Sequence, residues 1–200
     1  MGNRKGGEVG VASFGHVAIG LAAGRLDQHL EPPPFLLWRA MFWFSLMSLL
    51  PDADVVAFSL GIPYEAPFGH RGASHSLLSA PVLAILPSLM LSQYLKISRL
   101  RTWLLGTAVV LTHGLLDTLT DGGLGVALLW PFSDERFFAP WQPIPVAPIG
   151  RRMLSSRGLF VVANELLMFL PFLVYAFWPR ARGAVPTEIP PDPDSSAGPG

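Results

Sequence analysis

The sequence predicts an all-α fold: a polytopic membrane bundle of four to five spanning helices with an aromatic, Pro-rich loop lying at the membrane interface. Three observations carry this. Hydrophobic residues make up 50% of the chain and charged ones 14%, with mean hydropathy +0.43. The apolar residues gather in five long stretches, two of which reach the roughly 20 residues that a spanning helix needs. Polar, metal-capable residues stand at the ends of these stretches, where proximity to lipid makes them costly and therefore functional by default.

The first stretch, Val9 to Gly24, holds no charge and one ionisable group, His16. Its small residues (Ala12, Gly15, Ala18, Gly20, Ala22, Ala23) permit close helix packing in lipid. Arg4 and Lys5 precede it as in a signal peptide, but His16 sits inside the run and Gly24-Arg25-Leu26 lacks a cleavage pattern. The segment is therefore read as retained. A connector ends in the helix-breaking Pro32-Pro33-Pro34. Phe35 to Leu50 is interrupted only by Arg39, whose stem can snorkel to the interface, and it ends at Pro51.

Ser76 to Leu95 is charge-free, with Pro81 and Pro87 as kinks that a membrane helix tolerates. Thr102 to Leu116 continues through Asp117, and Gly158 to Trp178 carries only Glu165. The first, second and fourth stretches are short. They span only if their polar ends lie in the interface or face the bundle interior. Between the fourth and fifth, Asp121 to Arg157 is rich in Trp, Phe and Pro, with arginines suited to headgroup level. It is read as an ordered cap. Residues 9–178 form one membrane-embedded domain in this reading, and the Pro/Ser-rich 179–200 a disordered tail. The alternative is a soluble all-α protein whose apolar helices are core.

The balance of 14 basic against 14 acidic residues argues against direct nucleic-acid binding. With no cysteine, a bound metal must use His, Asp or Glu. Four groups offer these. Leu50-Pro51-Asp52-Ala53-Asp54 reads as a helix terminus or as a compact oxygen-ligand pair for a divalent cation. In His70-Arg71-Gly72-Ala73-Ser74-His75-Ser76, Ser74 is the expected N-cap of the next helix, and the histidines read as a ligand plus an acid/base group. His113 and Asp117 are spaced i, i+4, so both face one side of a helix and can hold one ion; a buried His–Asp hydrogen bond is the plainer reading. Glu165 must pair or face a polar interior, and His29 is given no role. If all five stretches span, strict alternation puts His16, Asp52, Asp54, His70, His75, His113, Asp117 and Glu165 on one side of the bilayer, which argues for one shared site.

These blocks, in this order, resemble the LexA-binding, inner-membrane-associated metal-dependent hydrolases of the YdjM-like family. The matching runs are Gly15-His16, Leu49 to Asp54, Gly69 to Leu78, His113 to Thr120, Leu129-Trp130-Pro131-Phe132 and the region from Arg136-Phe137 to Pro148-Ile149-Gly150. The resemblance implies a multi-pass protein of the bacterial inner membrane. It also implies a metal site on His16, Asp52, Asp54, His70, His75, His113 and Asp117, with Glu165 a weaker match, and it leaves a protein partner open. The expected function is hydrolysis of an ester or phosphoester, with a membrane lipid or lipid-linked molecule as substrate. One or two divalent ions would serve, zinc first and Mn or Mg as alternatives. His16, Asp52, Asp54, His75, His113 and Asp117 are the expected ligands; His70, His75, Arg71 and Glu165 are the expected catalytic residues, with Arg71 clamping an anionic group. A membrane scaffold holding a structural metal is the non-enzymatic alternative.

Overall fold

The structure, a computed structural model, describes residues 13–30, 36–146 and 154–179. The Met1 to Gly10 segment, the triple proline at 32–34, Pro148, Arg151, Arg152 and the tail from Arg180 lie outside these residues, as does the side chain of His29. Seven α-helices are described: α1 (Ser13–Leu30), α2 (Leu37–Ser48), α3 (Val56–Ser59), α4 (Ser79–Leu95), α5 (Arg99–Thr118), α6 (Ser156–Met168) and α7 (Leu170–Phe177). Short 3₁₀ turns at Pro51–Val55 and Ala73–His75 join them, and no strand occurs among the described residues.

The chain traverses the bundle five times. His16 at the start of α1 stacks on His113 near the end of α5, so these helices run antiparallel. At the far end, Arg25 donates to the Ala176 carbonyl and Arg101 to Asp27, tying the end of α1 to the end of α7 and the start of α5. Among the described residues no single helix is long and apolar enough to cross a membrane. Two bent pairs pass that test together: α2 with Pro51–Ser59, bent by 45°, and α6 with α7, bent by 62°. Both bends fall at a proline, Pro51 and Pro171, whose missing N–H interrupts the helical ladder.

Packing follows from small residues. A methyl added to Gly24 would sit 2.4 Å from the Met41 backbone, and one on Gly20 2.5 Å from that of Ser45, so α1 and α2 touch backbone to backbone. Ala40, Phe44 and Met47 of α2 then meet Ala80, Ala84 and Leu91 of α4 and Val109 and Val110 of α5 in the main apolar core. The indoles of Trp43 and Trp103 donate to the carbonyls of Pro87 and Pro81, pinning the proline-containing α4 to both neighbours. The outer faces are apolar: Phe42, Val82, Leu86, Phe160 and Leu167 are all more than half exposed. The interior at one end holds His16, His70, Arg71, His75, His113 and Asp117, each at most 3% exposed. The bundle is thus apolar outside and ionisable inside at this end.

Residues 119–146 fold over that end as an ordered cap. Thr120 pairs with Ile144 and Val126 with Phe137 in isolated bridges. Arg136 donates to the carbonyls of Tyr64, Ala66 and His70, while Ala127 N–H reaches the Arg71 carbonyl and Leu77 N–H the Leu128 carbonyl. The cap thus fixes the backbone of the His70 to Ser76 segment. The expected role of Ser74 is corrected here. Ser79 N–H at the start of α4 bonds to Ser76 Oγ, and Ser74 Oγ instead donates to Asp54.

Candidate metal centre

Four side chains from three elements converge on one point. The 3₁₀ turn after α2 brings Asp52, the turn before α4 brings His75, and the last two turns of α5 bring His113 and Asp117. Gly114 makes the approach possible: a methyl there would lie 2.4 Å from the His75 carbonyl oxygen. One donor atom from each of these four residues lies within 4.8 Å of the others. His75 Nε2 is 3.1 Å from His113 Nε2, 3.6 Å from Asp52 Oδ1 and 3.4 Å from Asp117 Oδ2. His113 Nε2 is 3.4 Å from Asp52 Oδ1 and 3.8 Å from Asp117 Oδ2. Four donors about 2.0–2.1 Å from a tetrahedral zinc would be spaced about 3.3 Å apart, so the cage has the dimensions of a zinc site.

Proton bookkeeping says what the cage needs. His113 Nδ1 lies 2.6 Å from the Ser48 carbonyl, which can only accept, so Nδ1 carries the proton and Nε2 is bare. His75 Nδ1 faces Asp54 Oδ2 at 3.1 Å and Ser74 Oγ, whose own hydrogen goes to Asp54; this nitrogen too must donate. Two neutral imidazoles would therefore point lone pair at lone pair across 3.1 Å, beside two carboxylates. Only a cation between them resolves this. Burial pulls the His75 pKa down, but hydrogen bonds to Asp117, Asp52 and Asp54 together outweigh it and push it up from the usual 6.5 to about 10. A proton thus fills the place in the absence of metal. Charge leans the same way: Asp52, Asp54 and Asp117 outnumber the nearby guanidiniums of Arg71 and Arg136, so with neutral imidazoles the cluster keeps a net negative charge that a cation would meet.

Around the cage stand its supports. Asp54 accepts from His70 Nδ1 (2.6 Å), Arg71 N–H (3.2 Å), His75 Nδ1 and Ser74 Oγ. It also forms, with His70 and His75, a second group compact enough for a cation; its four donors make it foremost the carboxylate that orients a ligand histidine. His70 Nε2 is buried and has no hydrogen-bond partner. The Tyr64 ring stands edge-on to His70 at 5.3 Å.

Three sequence expectations change. Arg71 does not clamp a substrate: it is 1% exposed, its Nε lies 3.1 Å from Asp117 Oδ2, and Nη1 donates to Thr120 Oγ1 and the Gly122 carbonyl. It steadies a ligand carboxylate. Glu165 lies outside the donor group and accepts from the N–H groups of Phe14 and Gly15, capping α1 from another helix. His16 is not among the four donors; it stacks on the His113 ring at 3.7 Å, with Nε2 3.4 Å from the other Asp117 oxygen, and both its nitrogens lack hydrogen bonds. Sequence reading missed the Ser48 carbonyl, Thr120 and Arg136. Thr120 had a signal, its place at the end of the His113 to Thr120 block, and Arg136 another, as the start of a family-like Arg136 to Gly150 region.

The family model described as YdjM inner membrane protein matches residues 11–182. The inner membrane protein YbcI of Escherichia coli (strain K12) is 41% identical over 172 residues, covering 84% of this chain and 96% of that protein. The inner membrane protein YdjM of the same organism is 33% identical over 132 residues, 58% of this chain and 64% of that protein. No solved structure matches. With the family model covering the whole bundle and its cap, the chain belongs to the YdjM inner membrane protein family.

Proposed function

We propose that the chain is a multi-pass inner-membrane hydrolase that uses a divalent cation, zinc by its donor set, to cleave an ester or phosphoester carried by a lipid. The observation that carries this is the pair of bare His75 and His113 Nε2 atoms, 3.1 Å apart and flanked by Asp52 and Asp117. Two imidazoles with two carboxylates suit zinc better than Mg, which prefers oxygen donors and water. Five traversals of an apolar-faced bundle, in a family named for the inner membrane, support the spanning topology. α5, at 20 residues, is about 30 Å long, the thickness of the hydrocarbon layer.

A divalent ion in this cage supplies Lewis acidity, which acidifies water and polarises a carbonyl or phosphoryl oxygen. The protein's own groups do the rest. Asp54 holds both neighbouring imidazoles by Nδ1, fixing the His75 tautomer and linking it to His70. His70 Nε2, free of other partners, is the atom that holds or passes a proton. Arg71 keeps Asp117 in place. Approach is from the Asp52 side, since its side chain is 14% exposed, against 3% or less for the other three donors. The exposed Phe68, Phe132 and Trp141 around this end suit a substrate that stays partly in the interface.

The test is zinc content and turnover of a phospholipid-like ester by the detergent-solubilised protein, with His113→Ala as control. Zinc-dependent turnover that the substitution abolishes is the expected result. Turnover retained in His113→Ala overturns the proposal; zinc bound without turnover leaves a structural metal in a membrane scaffold.

A further inference from the structure

We propose that the groove between α4 and α5, at the end of the bundle opposite the metal centre, binds one anionic phospholipid. The groove, of about 250 Å³, is lined by Ile85 and Leu89 of α4 and by Arg99, Leu100 and Trp103 of α5. Its walls are apolar and open outward, with Ile85, Leu89 and Leu100 all more than a third exposed. Its mouth is cationic. Arg99 lines it, and Lys96, also exposed, stands in the turn between the two helices with a left-handed backbone (φ 56°). Ile85 and Leu89, spaced i, i+4, share one face of α4.

Charge complementarity and length define the occupant. Among the described residues no acidic side chain lines the groove, and Asp27 is fully buried and bonded to Arg101, so the groove's mouth is cationic. Arg39, over the Tyr94 ring at 5.4 Å, adds a third cation to the same end. From Lys96 to Ile85 the helical rise amounts to about 16 Å, half of the roughly 30 Å hydrocarbon layer. One acyl chain laid along the groove would thus stay within one leaflet and bring its phosphate to the two bases. A lipid of net negative charge is preferred to a zwitterionic one, whose own cation opposes them. The α5 N-terminus adds little, because the Ser98 side chain already takes the Arg101 N–H. The recognition therefore rests on the bases and the apolar wall.

Trp103 reports on the groove directly. The full chain is reconstituted in phosphatidylcholine bilayers containing a minor fraction of acyl-brominated phosphatidylglycerol, or of acyl-brominated phosphatidylcholine. The Trp103 part of the quenching is isolated with Trp103→Phe. The expected result is preferential quenching by the glycerol lipid, with the preference falling about fivefold for each base removed in Lys96→Gln and Arg99→Gln. Equal quenching by the two lipids, or a preference that survives the double substitution, overturns the proposal. So does competition by free glycerol phosphate as strong as by the lipid, which reduces the site to a phosphate contact. If Trp103→Phe does not fold, native mass spectrometry of bound phosphatidylglycerol on the parent and the Lys96→Gln/Arg99→Gln variant reads the same outcomes. Zinc content stays unchanged throughout, so this result stands apart from the hydrolase reading.

Discussion

The bundle buries ionisable groups at both ends and treats them in opposite ways. At the far end Asp27, fully buried, takes the Nε and Nη2 hydrogens of Arg101 at 3.1 and 3.0 Å, and the charges cancel. At the capped end, Asp52 and Asp117 crowd two imidazole Nε2 atoms, and protein atoms alone satisfy the cluster only by holding an extra proton on His75. The first arrangement is complete as a piece of protein. The second needs an added proton or a metal ion to balance it, because burying uncompensated charge costs several kcal/mol per ion. Buried polarity alone therefore does not mark a site; polarity that protein atoms leave unbalanced does.

Substitutions at the two ends sharpen this contrast. The largest effect is expected from His113→Ala, which removes a donor and abolishes stoichiometric zinc binding measured by elemental analysis. Asp27→Ala leaves zinc content intact yet lowers stability by about 3 kcal/mol, since Arg101 loses its buried partner; thermal unfolding in detergent reads it. Loss of zinc in Asp27→Ala would erase the distinction between the ends. Asp54→Ala removes the carboxylate behind His75 and is expected to weaken zinc about 10–100-fold in competition titration with a chelator. Gly114→Ala pushes on the His75 carbonyl, so it weakens zinc as well, although it touches no donor atom.

pH gives a subtler test. The His75 pKa rises from 6.5 to about 10 on folding, so in the metal-free protein its contribution to stability is full below pH 6.5 and is lost as pH rises towards 10. Zinc must displace that proton, so binding near neutral pH releases on the order of one proton, visible as a buffer-dependent heat. The smallest expected change is that of Glu165→Gln, which weakens the cap on α1 by about 1 kcal/mol and leaves zinc affinity unchanged.

Much of the arrangement was legible in the sequence because successive apolar runs alternate in direction through the bundle. Counting traversals was enough to put His16, Asp52, His75, His113 and Asp117 at one end, where the structure has them. The i, i+4 spacing of His113 and Asp117 gave their shared face. What sequence could not give was the division of labour among neighbours. Arg71, His75 and Ser74 lie within five positions, yet one steadies a ligand, one is a ligand and one bonds the carboxylate behind it. That choice depends on the left-handed Arg71 backbone (φ 59°) and on the cap that Arg136 ties down across 66 positions of chain. Glu165 was misread for a similar reason. A lone charge in an apolar run must find a partner, but the partner was a helix end, which has no signature of its own. Helix length was also less clear than composition suggested: two of the traversals are bent at a proline, and none is one long apolar helix.

X-ray absorption at the zinc edge of the purified protein tests the central claim most directly. The account predicts one zinc per chain with two imidazole nitrogens and carboxylate oxygens at about 2.0–2.1 Å, the imidazole signal halving in His113→Ala. A protein that holds no zinc, and in which His75 titrates near pH 10 as an imidazolium locked between Asp52, Asp54 and Asp117, would contradict it.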